Sequence, residues 1–145
     1  MVRRSDFLNK APQSLLEALK EGQTRFGYLP QDFMMELANS LHIPLNDVYG
    51  VASFYSFIAT KPLGRNVIRI CRSLPCYLKD CQVIIEIVER ELGIRPGQTT
   101  SEGRFSFQLT NCIGLCDKAP AMLINNDPHV DLTPGKISQI LRNYK

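Results

Sequence analysis

The chain lacks most of what anchors, exports or arms a protein. No apolar run reaches the ~20 residues of a membrane-spanning helix, so direct membrane insertion is not expected. The opening residues have no apolar stretch of the secretory type. Met1-Val2-Arg3-Arg4 is basic, but Asp6, Glu17 and Glu21 follow closely, which argues against an Arg-rich transit peptide. Lys and Arg form no dense cluster interleaved with aromatics, and the net charge is only +3, so no nucleic-acid partner is expected. No Gly-rich fingerprint follows a strand, so the chain is not expected to bind a dinucleotide alone. No Cys-x-x-Cys opens a helix, which counts against a dithiol reductase. What remains is 145 residues with 44% hydrophobic content, enough for a real core in one domain or two small ones.

Cysteine is where the chain is rich. Its five cysteines are an odd number for a disulfide framework, and a reducing, cytoplasmic location is expected. Four of them form two close pairs, Cys71-x4-Cys76 and Cys112-x3-Cys116, with 35 residues between the pairs. Two loops that each present two thiolates can build one four-thiolate metal site. An iron–sulfur cluster and a closed structural zinc site both use that donor set. Zinc knuckles are commonly tighter, and the wider loops here suit separate wrapping of the two irons of a [2Fe–2S] cluster. Zinc stays open as the alternative, in a four-cysteine site that stabilises a protein-interaction module. Disulfides come third.

Periodicity divides the chain. Leu15, Leu16 and Leu19 after Pro12, Phe33, Leu37 and Leu41 after Pro30, and Leu45, Val48, Tyr49 and Ala52 from Pro44 each give one apolar helical face. These three helices predict a small bundle over residues 1–60. The third runs into Phe54-Tyr55-Ser56-Phe57, read as core aromatics in preference to a docking surface. Lys61-Pro62-Leu63-Gly64 then breaks the pattern. Asn66 to Cys71 reads as a strand, and a helix with Ile84, Ile87, Val88 and Leu92 follows, capped by Gly93. Phe105, Phe107 and Leu109 alternate with Ser106, Gln108 and Thr110 as a strand with one buried face. Strand, helix and strand in this order predict a parallel βαβ unit, which would bring both cysteine pairs to one end of the sheet. Ala121 to Ile124, a turn over Asn125 to Pro128, and Val130 to Leu132 read as a hairpin. A last helix starts at Thr133-Pro134 and buries Ile137, Ile140, Leu141 and Tyr144. The predicted class is α+β, an N-terminal helical bundle (1–60) followed by a thioredoxin-like α/β domain (61–145).

Three stretches carry a family resemblance: Cys71-Arg72-Ser73-Leu74-Pro75-Cys76-Tyr77-Leu78, Gly93-Ile94-Arg95-Pro96-Gly97-Gln98-Thr99-Thr100, and Cys112-Ile113-Gly114-Leu115-Cys116-Asp117-Lys118-Ala119-Pro120. With Gly27-Tyr28-Leu29-Pro30 and Val48-Tyr49-Gly50-Val51-Ala52-Ser53-Phe54-Tyr55, the chain resembles the thioredoxin-like [2Fe–2S] ferredoxins, in particular the E subunits of NADH:quinone oxidoreductase (complex I). Related small subunits serve NAD-linked or bifurcating hydrogenases and formate dehydrogenases. The resemblance implies a [2Fe–2S] cluster on Cys71, Cys76, Cys112 and Cys116, each close pair on one iron. It implies an electron carrier that is not catalytic alone, within an NAD(P)H-linked oxidoreductase complex. Its partners would be an FMN- and NAD(H)-binding flavoprotein subunit with iron–sulfur clusters, and further hydrogenase, formate dehydrogenase or complex I subunits. No His takes a ligand position, so a Rieske centre is excluded and a potential on the order of −400 mV is implied. Residues 1–60 supply no ligand and are expected to dock the partner.

Individual residues depart from the pattern or sit beside it. Cys81 replaces a small residue common in relatives and shares a helix face with Ile84 and Val88, so it is read as core. The hairpin from Asp127 to Leu132 lacks the Tyr-Gly of many relatives. The chain stops after its last helix, which tilts the expectation towards a soluble complex. His42 is read as a helix end or surface residue and His129 as solvated. Gly114 either lets backbone N–H groups approach cluster sulfurs or serves the turn. Arg72 and Lys118 either screen an anionic cluster or are simply solvated.

Overall fold

The computed structural model describes residues 14–144. The chain divides into two compact units, Met1–Pro62 and Leu63–Lys145. Pro12, used above to mark the first helix, lies outside the described residues.

Among the described residues the first unit holds three helices, α1 (Leu15–Phe26), α2 (Gln31–Leu41) and α3 (Leu45–Phe54). Ser14 caps α1 by accepting the Glu17 N–H at 3.2 Å. Gly27 ends it in the left-handed conformation at φ 77°. Pro30 and Pro44 are extended residues just ahead of α2 and α3, one position earlier than the sequence suggested. Leu19, Leu29, Leu37, Val48 and Ala52 form the buried centre. A β-carbon on Gly22 would overlap the Phe33 ring, so glycine in α1 lets that ring pack close without shifting. Gln23 ties down the segment after α3: its Nε2 donates to the Phe57 carbonyl at 2.5 Å and its Oε1 accepts the Ala59 N–H at 2.6 Å. His42 ends α2 at φ 53°, with its N–H returned to the helix.

The aromatic run is not core. Phe54 is 79% exposed, and Tyr55 and Phe57 are also exposed. The buried stripe of α3 is spent on Val48 and Ala52, and the helix ends at Phe54 before another turn could bring the aromatics inward. Phe54 and Tyr55 instead meet edge to face, with ring centroids 5.1 Å apart. Tyr49, predicted on the apolar face, is exposed as well.

The second unit is a four-stranded mixed sheet in the order β2-β1-β3-β4, from β1 (Asn66–Cys71), β2 (Phe105–Thr110), β3 (Met122–Ile124) and β4 (Asp127–His129). β1 and β2 run parallel as predicted; β3 is antiparallel to β1 and to β4. Ile68 stands opposite Phe107 and Ile124, and Ile70 opposite Leu109 and Met122. These rows form one apolar face. Over it pack α5 (Cys81–Leu92) and α6 (Pro134–Asn143), through Ile84, Ile85, Val88, Ile137 and Leu141. A short helix, α4 (Leu74–Tyr77), lies inside the first cysteine loop, where no element was expected.

Two strand readings need correction. The hairpin returns over Asp127–His129 rather than Val130 to Leu132. Asn125 adopts φ 57°, donates its N–H to the Val67 carbonyl and accepts the Val67 N–H on Oδ1, each at 2.9 Å. The turn therefore closes in two residues, because Asn tolerates the left-handed region. Pro128 fits β4 because that strand is at the sheet edge. In β2, Ser106 and Thr110 are buried along with Phe105 and Phe107. Ser106 is covered by its bonds to Gly64 N–H and Thr99, at 2.7 and 2.6 Å.

Candidate metal centre

The site is built from the ends of two parallel strands. Cys71 is the last residue of β1 and stands in register with Thr110, the last residue of β2. The Arg72 N–H donates to the Thr110 carbonyl at 3.0 Å, so the chain leaving β1 stays beside the chain leaving β2. Cys112 follows two residues later. The expectation that both cysteine pairs emerge at one end of the sheet therefore holds.

The first loop folds its second cysteine inward. Pro75 stands in the first turn of α4, where a missing N–H costs nothing. Tyr77 and Leu78 donate back to the carbonyls of Ser73 and Leu74 at 3.0 and 2.9 Å. The resulting turn buries Cys76 at 2% exposure and leaves Leu74, Tyr77 and Leu78 outside. Cys71 and Cys81 are each 1% exposed, in the same core cluster as Cys76, Ile84 and Val88. Cys81 is thus a packed core residue, as read from its helix face.

The second loop is open. Cys112 and Cys116 are both exposed, and their sulfurs lie 3.4 Å apart. Gly114, at φ 83°, donates its N–H to Cys112 Sγ at 3.4 Å. This glycine turns the backbone, as one of the two readings expects, and it aims an N–H at a cysteine sulfur. Cys116 opens a 3₁₀ turn, Cys116–Lys118.

Electrostatics follow the burial. Desolvation, reinforced by Cys71, pushes the Cys76 thiol up to about 11. Burial, then Cys71 and Asp80, also raises the Cys81 thiol. The Gly114 N–H, then Cys116, lowers Cys112, while the bond to Cys112 raises Cys116. Cys71 also acts on Cys116, so the two loops sense each other. Among the described residues, no three His, Cys, Asp or Glu side chains stand together in metal-holding geometry. The thiols are gathered two and two, because one pair is packed into the apolar core and the other faces solvent.

The donor set fits a soft-ligand centre: four thiols released from one sheet end, and a backbone N–H already directed at sulfur. Neither histidine joins them. His129, expected to be solvated, is partly buried beside Tyr144, with Nε2 2.9 Å from the phenol oxygen, which itself donates to Asp127 at 3.0 Å. That network was not legible, since residues 127, 129 and 144 meet only through the hairpin and α6. The roles of Gln23 and Gly22 were missed for the same reason.

The family description "Thioredoxin-like [2Fe-2S] ferredoxin" matches residues 3–145. The chain is 46% identical over 130 residues to the E subunit of NADH-quinone oxidoreductase of Escherichia coli K12, covering 90% of this chain and 78% of that protein. It is 33% identical over 141 residues to the NADP-reducing hydrogenase subunit HndA of Solidesulfovibrio fructosivorans, covering 95% and 82%. Among solved structures, the air-oxidised NAD+-reducing [NiFe]-hydrogenase superposes with a TM-score of 0.73 at 27% identity, over 90% of this chain. This chain spans only 22% of that hydrogenase polypeptide. No helix among the described residues is long and apolar enough to cross a membrane. The chain belongs to the thioredoxin-like [2Fe–2S] ferredoxin family.

Proposed function

We propose that Cys71, Cys76, Cys112 and Cys116 hold the family's [2Fe–2S] cluster, one close pair to each iron. The chain then passes single electrons to or from an FMN- and NAD(H)-binding flavoprotein subunit of an NAD(P)H-linked oxidoreductase complex in the cytoplasm. The observation that carries this reading is the parallel pairing of β1 and β2, which releases both thiol pairs from one end of the sheet. The cluster supplies a one-electron store, which suits a partner flavin that must divide a hydride into single electrons. The chain's own contribution is to shield and to tune. Buried Cys71 and Cys76 keep water from one side, and the Gly114 N–H stabilises negative charge on Cys112.

Respiratory NADH:quinone oxidoreductase is the parent complex we favour over a hydrogenase or formate dehydrogenase. The 46% identity to its E subunit, against 33% to the hydrogenase subunit, supports that choice. Residues 1–60 serve as the docking domain and residues 61–145 as the ferredoxin domain. The exposed Phe54, Tyr55 and Phe57 support a docking role for the first of these.

Anaerobic purification tests the site. Brown protein with two irons and two sulfides per chain, whose colour is lost in each of the four Cys→Ala variants, is the expected result. Colourless protein with stoichiometric zinc would establish the zinc-stabilised interaction module instead.

A further inference from the structure

The two thiol pairs differ in a way that electron transfer does not require. Cys112 and Cys116 place their sulfurs 3.4 Å apart on an exposed loop. A disulfide needs roughly 2.05 Å, so the pair lacks only a small approach. Residues 111–115 form no regular helix or strand, and Gly114 at φ 83° already turns the loop. Cys71, Cys76 and Cys81 are at most 2% exposed, beyond the reach of a dissolved oxidant.

We propose that in the metal-free chain Cys112 and Cys116 close into a reversible disulfide, a redox gate that withholds two of the four ligands until the pair is reduced. The oxidant is a small-molecule disulfide such as oxidised glutathione. The Cys112 sulfur, which accepts the Gly114 N–H, attacks one sulfur of the oxidant, whose S–S bond breaks and releases one thiolate. The Cys116 sulfur then attacks Cys112, breaks the mixed disulfide and releases the second thiolate. The two cysteine protons pass to the two departing thiolates. The cysteines are oxidised by two electrons and the small disulfide is reduced by two. The loop is thereby spared irreversible overoxidation. The meaning of this gate rests on the cluster reading above, but its chemistry does not.

The experiment uses the full chain, freed of metal by a chelator under reducing conditions, desalted anaerobically and incubated with oxidised glutathione. Alkylation after unfolding, intact mass and peptide mapping read the outcome. Alkylatable thiols should fall from five to three, with one Cys112–Cys116 disulfide, and dithiothreitol should restore all five. Cys112→Ser should abolish the disulfide, and Cys81→Ala should leave it unchanged. Five thiols retained, persistent glutathione adducts, or a disulfide involving Cys71, Cys76 or Cys81 would each overturn the proposal. Reconstitution of the reduced chain with iron and sulfide is read separately. If the disulfide forms but the reduced chain takes no iron, the cluster reading fails and the gate loses its purpose, while the thiol chemistry stands. If the reduced chain takes iron and no disulfide forms, only the gate fails.

Discussion

The loops after β1 and β2 leave neighbouring strands at the same end of one sheet and each carry two cysteines, yet they are built differently. The first folds into α4 and packs both sulfurs into the core; the second stays open and turns both towards solvent. The physical cause lies in the residues between. Leu74 and Pro75 permit a helical turn whose inner side places Cys76 in the same core cluster as Ile84 and Val88. Ile113-Gly114-Leu115 contains a glycine at φ 83°, which directs the chain through a turn with no helix to pack. The same side chain thus sits in two settings: the first pair is part of the hydrophobic core, and the second is exposed on an open loop. A substitution experiment should separate those settings.

The largest expected effect is on the cluster. On the proposed ligand assignment, alanine at any one of Cys71, Cys76, Cys112 or Cys116 would leave an iron short of a ligand, and iron content with visible absorption should collapse in all four variants. A variant at Cys112 or Cys116 that keeps full iron would break the comparison, since that thiol would then not be a ligand.

The next effect divides the pairs. In metal-free protein, Cys71→Ala and Cys76→Ala should each cost about 1 kcal/mol in a urea titration, because a buried sulfur is removed from packed surroundings. Cys112→Ala and Cys116→Ala should stay within about 0.5 kcal/mol of the parent, as exposed positions do. Cys81→Ala supplies the control, with a cost of roughly 1 kcal/mol or less and an intact cluster. Equal costs at all five cysteines would show that burial does not distinguish the loops.

Much of this was legible in the sequence, for reasons that differ by element. Asn66–Cys71 and Phe105–Thr110 were readable because β-branched and aromatic residues are bounded by turn formers, and their parallel pairing followed from the intervening α5. Cys81 was readable as core because Ile84 and Val88 lie on its helix face. The difference between the thiol pairs was not readable. Cysteine spacing says how many thiols a loop carries, whereas their burial depends on α4, a single turn too short to show a period. The exposed Phe54 and Phe57 misled for a related reason: apolar character predicts burial only where a helix continues to supply a face.

The smallest effect lies away from sulfur chemistry and tests whether burial alone sets charge behaviour in this unit. Desolvation holds His129 below its ordinary value, with Asp127 opposing. In the unfolded chain the imidazole takes up its proton near pH 6.5. The folded chain takes it up at lower pH, so between these values the unfolded state binds more protons and stability rises with pH. The contribution is fully present above about pH 6.5 and is lost as pH falls through the folded value. His129→Gln keeps a donor for Tyr144 but removes the titration. Between pH 7 and pH 5 the parent should therefore lose more Tm than the variant. Parallel curves would show that His129 is as well hydrated in the fold as in the open chain, and that burial does not hold it neutral.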